Sequence, residues 1–339
     1  MIIVLKPRIS KKEERAVLDE IRKLGYTPHV MRGVARTVIG AIGDELTHAN
    51  LETLAAQFPQ AVESVMPIQK RYKLVSREAH PSASTIRVRE HVIGGRKLHV
   101  MAGPCSVEGE KQLLTVAEAV KAAGATVLRG GAFKPRTSPY EFQGLGEKGL
   151  KLLDKARRLT GLAVITELLS EQHVELVAEY TDIIQIGARN AQNFQLLIAA
   201  AKTGKPILLK RGLSMKIEEW LLAGEYVLAN ENPNLMFCER GIRTFETYTR
   251  NTLDLSTVPI IKHESHCPIV IDPSQGVGRA DLVTTMCKGA VAMGADALLI
   301  EVHPNPAEAW SDGAQQVTLD GFAQLMRALQ PFITAAGRE

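Results

Sequence analysis

The feature that most constrains the fold is a regular alternation of short apolar runs and helix-like segments, which begins after Val88 and continues to the end of the chain. Eight apolar runs occur, in the order LHVMA, ATVLR, AVIT, DIIQI, PILLK, LMFC, PIVID and ALLIE. This spacing is typical of parallel βα units, and about 250 residues is the usual length of a (β/α)8 barrel. The alternation therefore predicts an α/β chain with a TIM barrel over residues 91–339.

Two doubly wound domains are the competing layout for such an alternation. In that fold a glycine-rich GxGxxG turn directly follows a strand and binds the phosphates of a dinucleotide. No such turn directly follows any of the eight runs. A dinucleotide-binding arrangement is therefore disfavoured.

Residues 1–68 show a different order of elements, strand, helix, strand, strand, helix and strand. The segments are IIVL, SKKEERAVLDEIRKLG, TPHVM, RTVIGAIG, LTHANLETLAAQF and AVESVMPI. Ser10 is placed to cap the first helix and Gly25 to end it. The βαββαβ order predicts a small ferredoxin-like α+β domain in front of the barrel. Residues 69–90 are polar without a clear period, which predicts a linker with some extended structure.

The composition excludes several classes of partner. Lys and Arg total 41 against 37 Asp and Glu, a formal net charge of +4 that is too small to indicate nucleic acid or a membrane surface. The four cysteines form no CxxC pair, and the N-terminal MIIVLKPRIS lacks the pattern of a signal peptide. We therefore expect reduced thiols, a cytoplasmic location and small-molecule ligands.

Polar or ionisable residues follow every apolar run, where a barrel builds its active site. Cations follow the second, fourth, fifth and sixth runs. So many cations at one mouth would repel each other unless anions bind there, and guanidinium groups suit phosphate and carboxylate. The pattern predicts a site for two phosphorylated substrates, or for one phosphate and one carboxylate. The residues are Cys105, Arg129 to Arg136, Thr166, Glu167, Arg189, Lys210, Arg211, Glu239, Arg240, Asp272, Gln275, Glu301 and His303.

Three of the residues at the mouth indicate a metal. Cys105, Glu301 and Asp312 follow the first and eighth runs, which become neighbours when a barrel closes. A thiolate with two carboxylates suits a divalent transition metal. The alternative for Cys105 is a small buried apolar residue without a ligand role.

Several motifs together resemble one enzyme family. They are AGPCSVE, LRGGAFKPRTSPYEFQGLGEKGL, IGARNAQN, LLKRG, CERGIRTFE, DPS, and EVHPNP followed by SDGAQQ. They resemble the type Iβ 3-deoxy-D-arabino-heptulosonate 7-phosphate (DAHP) synthases, and the front domain resembles the ACT-like regulatory extension of some members. The resemblance implies a transferase that condenses phosphoenolpyruvate (PEP) with erythrose 4-phosphate to DAHP and phosphate, the first step of the shikimate pathway of aromatic amino-acid biosynthesis.

The resemblance also implies roles for individual residues. Lys134 would donate a proton to the aldehyde oxygen, and Lys134 and Asp312 would be the catalytic residues. A divalent metal would polarise the aldehyde, held by Cys105, Glu301, Asp312 and one further ligand. Arg136 and Thr137 would bind the phosphate of erythrose 4-phosphate. The residues implied for PEP are Arg129, Lys134, Arg189, Lys210 and Arg240.

The further ligand position is where this chain departs from the family. The family pattern is DPSH, with histidine as a ligand, whereas this chain reads DPSQ with Gln275. An amide oxygen is a weaker and harder ligand than imidazole, which predicts a weakly held metal such as Mn²⁺. His303 faces the same end of the barrel and is a possible substitute, whereas His263 and His266 precede their strand.

Regulation and two alternative functions complete the expectations. By analogy with domains of its kind, the front domain predicts a homotetramer inhibited by an aromatic amino acid such as tyrosine, with His29 as a contact; the alternative is an assembly appendage. Gln275 leaves open a weakened or non-catalytic regulatory paralogue. Lys210 leaves open a Schiff-base aldolase, since such enzymes place their lysine at the end of a strand.

Overall fold

The structure is a computed structural model that describes residues 1–33, 36–43, 49–66 and 71–339. The described chain divides into two compact units. The first is Met1–Ala83 together with Glu264–His266, and the second is Ser84–His263 together with Cys267–Glu339. The predicted linker is thus shared, with residues 71–83 in the first unit and residues 84–90 in the second.

The first unit contains a four-stranded sheet. Numbered along the chain, its strands lie in the order second, third, first and fourth, and all three neighbouring pairs are antiparallel. This is the ferredoxin-like order, so that prediction is confirmed. Residues 44–48 of the predicted second helix and residues 67–68 of the predicted last strand lie outside the described residues. The elements are β1 (Ile2–Leu5), α1 (Lys11–Lys23), β2 (Thr27–Arg32), β3 (Thr37–Ile42), α2 (Ala49–Glu52), α3 (Leu54–Gln57) and β4 (Val62–Met66).

The first helix begins and ends where its sequence predicts. The Ser10 hydroxyl accepts a hydrogen bond from the Glu13 backbone N–H at 3.2 Å, and the Glu13 carboxylate accepts from the Ser10 N–H at 2.8 Å. This reciprocal capping box satisfies two amides that would otherwise lack partners. At the other end Gly25 adopts a φ of +86°, which glycine reaches without a steric penalty. Between these ends, Val17 and Ile21 are buried in the core of the unit.

The second unit is a closed barrel of eight strands, paired in parallel in the order in which they occur along the chain. Each strand coincides with one of the eight apolar runs, so the predicted TIM barrel is confirmed. The strands are β7 (His99–Gly103), β8 (Val127–Arg129), β9 (Ala163–Leu168), β10 (Ile183–Ile186), β11 (Ile207–Lys210), β12 (Leu235–Glu239), β13 (Ile269–Ile271) and β14 (Ala297–Glu301).

Helices follow the strands along the chain. In α5, for example, Leu150, Leu153 and Ala156 recur at helical spacing and are fully buried. None of the helices in the described part of the chain is long and apolar enough to cross a membrane. The helices are α4 (Glu110–Ala122), α5 (Glu147–Thr160), α6 (Val174–Tyr180), α7 (Phe194–Lys202), α8 (Ile217–Leu228), α9 (Thr257–Glu264), α10 (Pro273–Val277), α11 (Ala280–Ala292) and α12 (Leu319–Ala335).

A short hairpin closes one end of the barrel. Its strands β5 (Ile86–Val88) and β6 (His91–Ile93) pair antiparallel. Ile86, Val88 and Ile93 are buried in one apolar cluster with the residues that begin several barrel strands, such as Val127 and Ala163. The hairpin therefore covers the amino-terminal end of the barrel, which leaves the opposite end to form a cavity.

His99 connects this hairpin to the barrel. Its Nε2 donates to the carbonyl oxygen of Val92 at 3.1 Å, and its Nδ1 lies 3.2 Å from the hydroxyl of Thr126. The residue is 1% exposed, and burial lowers the pKa of the imidazole to about 4. His99 is therefore held in the neutral form near neutral pH.

We predict that His99 makes the protein less stable as the pH falls from about 6.5 towards 4. In this window the unfolded chain binds a proton that the folded protein excludes, so acid favours unfolding. The contribution at pH 5 is at most about 2 kcal/mol, since one pKa unit corresponds to about 1.4 kcal/mol. Denaturant unfolding of the natural chain and His99→Gln at pH 7 and pH 5 measures it. Equal losses of stability in the two proteins would contradict the assignment.

Candidate functional site

A cavity of about 200 Å³ lies at the carboxyl-terminal ends of the barrel strands. Most of its lining comes from the last residue of a strand or from the loop that follows, which is where a barrel places its functional groups. Its walls are strongly polar. The lining residues are Arg129, Lys134, Pro135, Arg136, Thr137, Glu141, Glu167, Gln185, Gly187, Ala188, Arg189, Lys210, Arg240, Arg250, Gln275 and Asp312.

The cavity carries an excess of positive charge. Seven of its lining side chains are Lys or Arg and three are Asp or Glu. Every residue that the sequence implied for substrate binding lies in this lining, so the structure brings those residues together. Their individual roles stay predictions. Arg211 does not join them, because its guanidinium is buried against Glu239 at 2.9 Å and Asp254 at 3.1 Å.

Buried carboxylates hold the cations in place. Arg129 pairs with Glu301 at 2.5 Å, Lys210 pairs with Asp272 at 2.6 Å, and both carboxylates are fully buried. Such pairs keep like charges close together because each cation has a partner of opposite sign. The Lys210 pair also bears on the aldolase alternative. In the structure, the amine that such an aldolase would use as its nucleophile is engaged by Asp272.

Two arginine nitrogens at the cavity have no partner. Among the described residues, Nε of Arg129 and Nη1 of Arg240 are buried and make no hydrogen bond. A buried charged donor without an acceptor is costly, and native proteins rarely leave one unsatisfied. These two donors therefore indicate that an anionic ligand completes the site.

Lys134 lies between this anion site and a buried thiol. Its Nζ is 3.1 Å from both the carbonyl oxygen and the Sγ of Cys105. The approach requires glycine at position 131, where a Cβ atom would lie 2.7 Å from Cδ of Lys134 and 2.8 Å from the Cys105 oxygen. Burial alone would lower the pKa of Lys134, but the acidic groups around it, Cys105 and Glu301 among them, raise it. Lys134 is therefore an ammonium at neutral pH.

Cys105, Glu301 and Asp312 form a group that could hold a divalent metal. One ligand atom from each lies within 4.8 Å of the others. Burial, reinforced by Glu301, raises the pKa of the Cys105 thiol to about 12, so a metal must displace the thiol proton to bind there. Burial would raise the pKa of Asp312, but Arg250 and Lys134 lower it to about 2. Thiolate and carboxylate ligands fit a divalent transition metal.

Gln275 contacts this group through its amide nitrogen. Nε2 donates to Glu301 at 3.0 Å and to Asp312 at 3.1 Å, and Oε1 accepts from Nη2 of Arg240 at 2.8 Å. A ligand role through the oxygen would require the amide to turn over, so that role stays a prediction. The substitute ligand considered above, His303, instead bonds Glu108 at 3.1 Å and is not one of the three grouped residues.

The sequence did not point to Arg250. Its Nη1 lies 2.9 Å from Oε1 of Gln315 and 3.3 Å from Asp312, and it lines the cavity. Arg250 lies well beyond the end of β12, so a search for residues just past the strands does not reach it. The sequence carries no local signal for Arg250. In the structure Gly278, with φ of +69°, leaves room for it, since a Cβ there would lie 2.4 Å from that of Arg250.

Glycine likewise makes room for the acid at the end of β9. A Cβ at Gly187 would lie 1.9 Å from Oε1 of Glu167, so the carboxylate occupies space that any other residue would fill. Glu167 thereby reaches the cavity wall. His29, the predicted effector contact, lies in β2 opposite Gly40 of β3 in the first unit, and its role stays a prediction.

Comparison with protein families covers nearly the whole chain. The model described as the DAHP synthetase I family matches residues 78–335. The model described as the DAHP synthase ferredoxin-like domain matches residues 1–70. The two matches follow the two-part organisation seen in the fold.

Individual relatives agree with the family matches. A phospho-2-dehydro-3-deoxyheptonate aldolase of Thermotoga maritima is 48% identical over 339 residues, 99% of each chain. A crystal structure of this enzyme, also called DAHP synthase, has a TM-score of 0.79 at 48% identity and covers 100% of this chain and 98% of its own. A truncated form has a TM-score of 0.74 at 49% identity and covers 78% and 98%. A 2-dehydro-3-deoxyphosphooctonate aldolase of Caulobacter vibrioides is 33% identical over 269 residues, 74% of this chain and 91% of its own.

Proposed function

The chain belongs to the DAHP synthetase I family, and from the cavity geometry we propose how its residues perform the reaction of a DAHP synthase. This transferase condenses PEP with erythrose 4-phosphate to give DAHP and phosphate. The observation that carries the proposal is the cation-rich cavity with two unpaired arginine donors. Both substrates bring a phosphate, and PEP adds a carboxylate, so the ligands match the charge of the walls.

PEP binds against the deeper, buried cations. Arg129, Lys134, Lys210 and Arg240 are each less than 9% exposed, and two of them supply the unpaired nitrogens. A ligand with two anionic groups can accept from several of these donors at once. Guanidinium groups offer paired N–H donors that match carboxylate and phosphate oxygens. Arg189 completes this set.

Erythrose 4-phosphate binds towards the cavity mouth. Arg136 pairs with Glu141 at 2.5 Å, and Thr137 lies next to it, with its hydroxyl 3.5 Å from Arg189. The Arg136–Glu141 pair is partly exposed, so a phosphate can exchange for the carboxylate at little cost. In this proposal the aldehyde end of the sugar phosphate faces Lys134.

Lys134 is the proton donor of the condensation. C3 of PEP forms a bond to the aldehyde carbon, and the aldehyde oxygen takes a proton from the ammonium of Lys134. Water then adds to C2 of the former PEP, and one of its protons returns to Lys134. The C2 carbonyl forms as the bond from C2 to the phosphate oxygen breaks, and phosphate leaves with the electrons of that bond and the second proton of the water. Asp312 is the second catalytic residue, because its ionised carboxylate lines the cavity and stabilises the charge of Lys134.

The ligand group next to Lys134 suits a divalent metal. Cys105, Glu301 and Asp312 would hold it, and when bound it would polarise the aldehyde oxygen as a Lewis acid. The small set of ligands and the amide of Gln275 favour a weakly held ion, of which Mn²⁺ suits the two carboxylates best. The residues of both substrate sites are present, which favours turnover over a purely regulatory role.

The first unit supplies a place for regulation. A cavity of about 380 Å³ within it is lined by Val4, Met31 and Val38 of the sheet and by Arg36 and His80 among others. This volume accommodates one amino acid, with apolar walls for an aromatic ring and a cation for a carboxylate. We propose that this cavity binds an inhibitor such as tyrosine and that His29 contacts it. We also propose that the protein assembles as a homotetramer.

We predict that Lys134→Ala lowers kcat by about 10²- to 10⁴-fold, the usual loss when a general acid is removed. Arg136→Ala should instead raise KM for erythrose 4-phosphate, since it removes a phosphate contact made equally before and during reaction. Steady-state kinetics with each substrate varied measures both effects. Lys151→Ala, at an exposed lysine of α5, is the control and should leave both constants unchanged. An unaltered kcat in Lys134→Ala would overturn the assignment.

We predict that a chain beginning at Ser84 stays folded and active but loses inhibition by aromatic amino acids. The barrel keeps its closing hairpin in this form, and its core is separate from that of the first unit. Initial rates with and without tyrosine, phenylalanine and tryptophan test both chains. Should the shortened chain still respond to every amino acid that inhibits the full one, regulation would not depend on the first unit.

A further inference from the structure

The side-chain amide of Gln275 joins two parts of the site that otherwise bind different ligands. On one side its NH2 group donates to Glu301 and Asp312, the pair of carboxylates that we call the acid pair. On the other side its oxygen accepts from Arg240, whose Nη1 is one of the two unpaired donors. One amide therefore lies between the metal-ligand group and the anion site.

The two orientations of this amide are not equivalent. If the amide turned over, its oxygen would lie about 3 Å from two carboxylate oxygens, and its NH2 group would face the guanidinium of Arg240. The amide oxygen would then face acceptor oxygens, and the amide NH2 group would face donor N–H groups. Neither contact is a hydrogen bond, since an arginine has no acceptor and an ionised carboxylate has no donor. Arg240 therefore fixes the orientation in which Gln275 presents hydrogens, not a lone pair, to the acid pair.

The backbone holds Gln275 in this position. Its N–H donates to Oδ1 of Asp272 at 2.9 Å, which caps α10, and its carbonyl oxygen accepts from the amide of Asn251 at 2.9 Å. Because both backbone groups are hydrogen-bonded, Gln275 could leave the acid pair only by rotation about its side-chain torsion angles. The hydrogen bonds from Nε2 to the acid pair therefore belong to the structure without a bound metal.

Glu301 has its other hydrogen-bonding capacity filled as well. Arg129 donates to the oxygen that Gln275 also contacts, and Gln315 donates to the second oxygen at 2.7 Å. The negative charge of the acid pair is thus compensated by the guanidinium groups of Arg129 and Arg250 and by two amides. A metal ion is not needed to keep these carboxylates together.

We propose that Gln275 acts as a hydrogen-bond donor that competes with a divalent metal for Glu301 and Asp312, and that it keeps Arg240 in position to bind PEP when no metal is present. The inference rests on the proposed function for the identity of the metal-ligand group. It assigns Gln275 a positioning role in place of a ligand role. A metal that enters must break two hydrogen bonds to charged groups before it can use both carboxylates.

Metal affinity provides the first test. Gln275→Leu keeps most of the volume but has neither donor nor acceptor, whereas Gln275→Glu keeps an acceptor for Arg240 and has no donor. We expect Gln275→Leu to bind Co²⁺ about tenfold more tightly than the natural chain, equivalent to ~1.4 kcal/mol, and Gln275→Glu more tightly still. Co²⁺ is added to metal-free protein, and the thiolate-to-cobalt absorption band is followed. Affinity in Gln275→Leu that is equal to or weaker than that of the natural chain would refute the competition.

PEP binding without metal provides the second test. Calorimetric titration with PEP in the presence of a chelator should show binding to the natural chain. Gln275→Leu should bind PEP about tenfold more weakly, because it leaves the guanidinium of Arg240 without its acceptor. Circular dichroism of both proteins checks that the barrel is intact. Failure of the natural chain to bind PEP without metal, or equal binding by the two proteins, would overturn the positioning role.

A cysteine variant separates this inference from the function beneath it. Cys105→Ser should abolish the thiolate-to-cobalt band in every background. If the natural chain and both Gln275 variants lacked that band, the metal-ligand group itself would be wrong and the inference would fall with it. If the band were present but the order of affinities were reversed, only the role assigned to Gln275 would be wrong.

Discussion

The structure depends on holding many like charges close together in one cavity. Seven cationic side chains line about 200 Å³, and carboxylates compensate several of these charges. The barrel supplies that compensation because its strands end in acidic as well as basic residues. Glu301 at the end of β14 and Asp272 after β13 are fully buried and take Arg129 and Lys210 as partners. The cations that line the cavity still repel one another, and an anionic substrate would reduce that repulsion.

One of these two carboxylates, Glu301, also belongs to the group that could hold a divalent metal. Glu301 belongs both to the ion pair with Arg129 and to the group with Cys105 and Asp312, so the anion site and the metal site share one residue. Gln275 adds a second connection through Arg240. Changes in one site are therefore expected to alter the other, since their hydrogen bonds form one network.

Much of this could be predicted from the sequence, because the strand ends of a barrel converge whatever the loops do. The eight apolar runs located the strands, and the residues that follow them located most of the cavity. The sequence did not predict Arg250 because a long loop after β12 brings it back to the cavity. The path of that loop depends on contacts between residues that are distant in sequence. The sequence does not predict the hairpin of β5 and β6, whose first strand falls in the predicted linker, because strands of three residues carry too weak a period. The orientation of the Gln275 amide depends on partners up to 37 residues away along the chain.

We infer that the unpaired arginine nitrogens lie where PEP binds. A crystal structure of the protein with bound PEP is the decisive measurement. We expect oxygen atoms of PEP to accept hydrogen bonds from Nη1 of Arg240 and Nε of Arg129, while the Arg129–Glu301 and Lys210–Asp272 pairs stay intact. PEP bound elsewhere, or bound in the cavity with both nitrogens still unpaired, would overturn this inference.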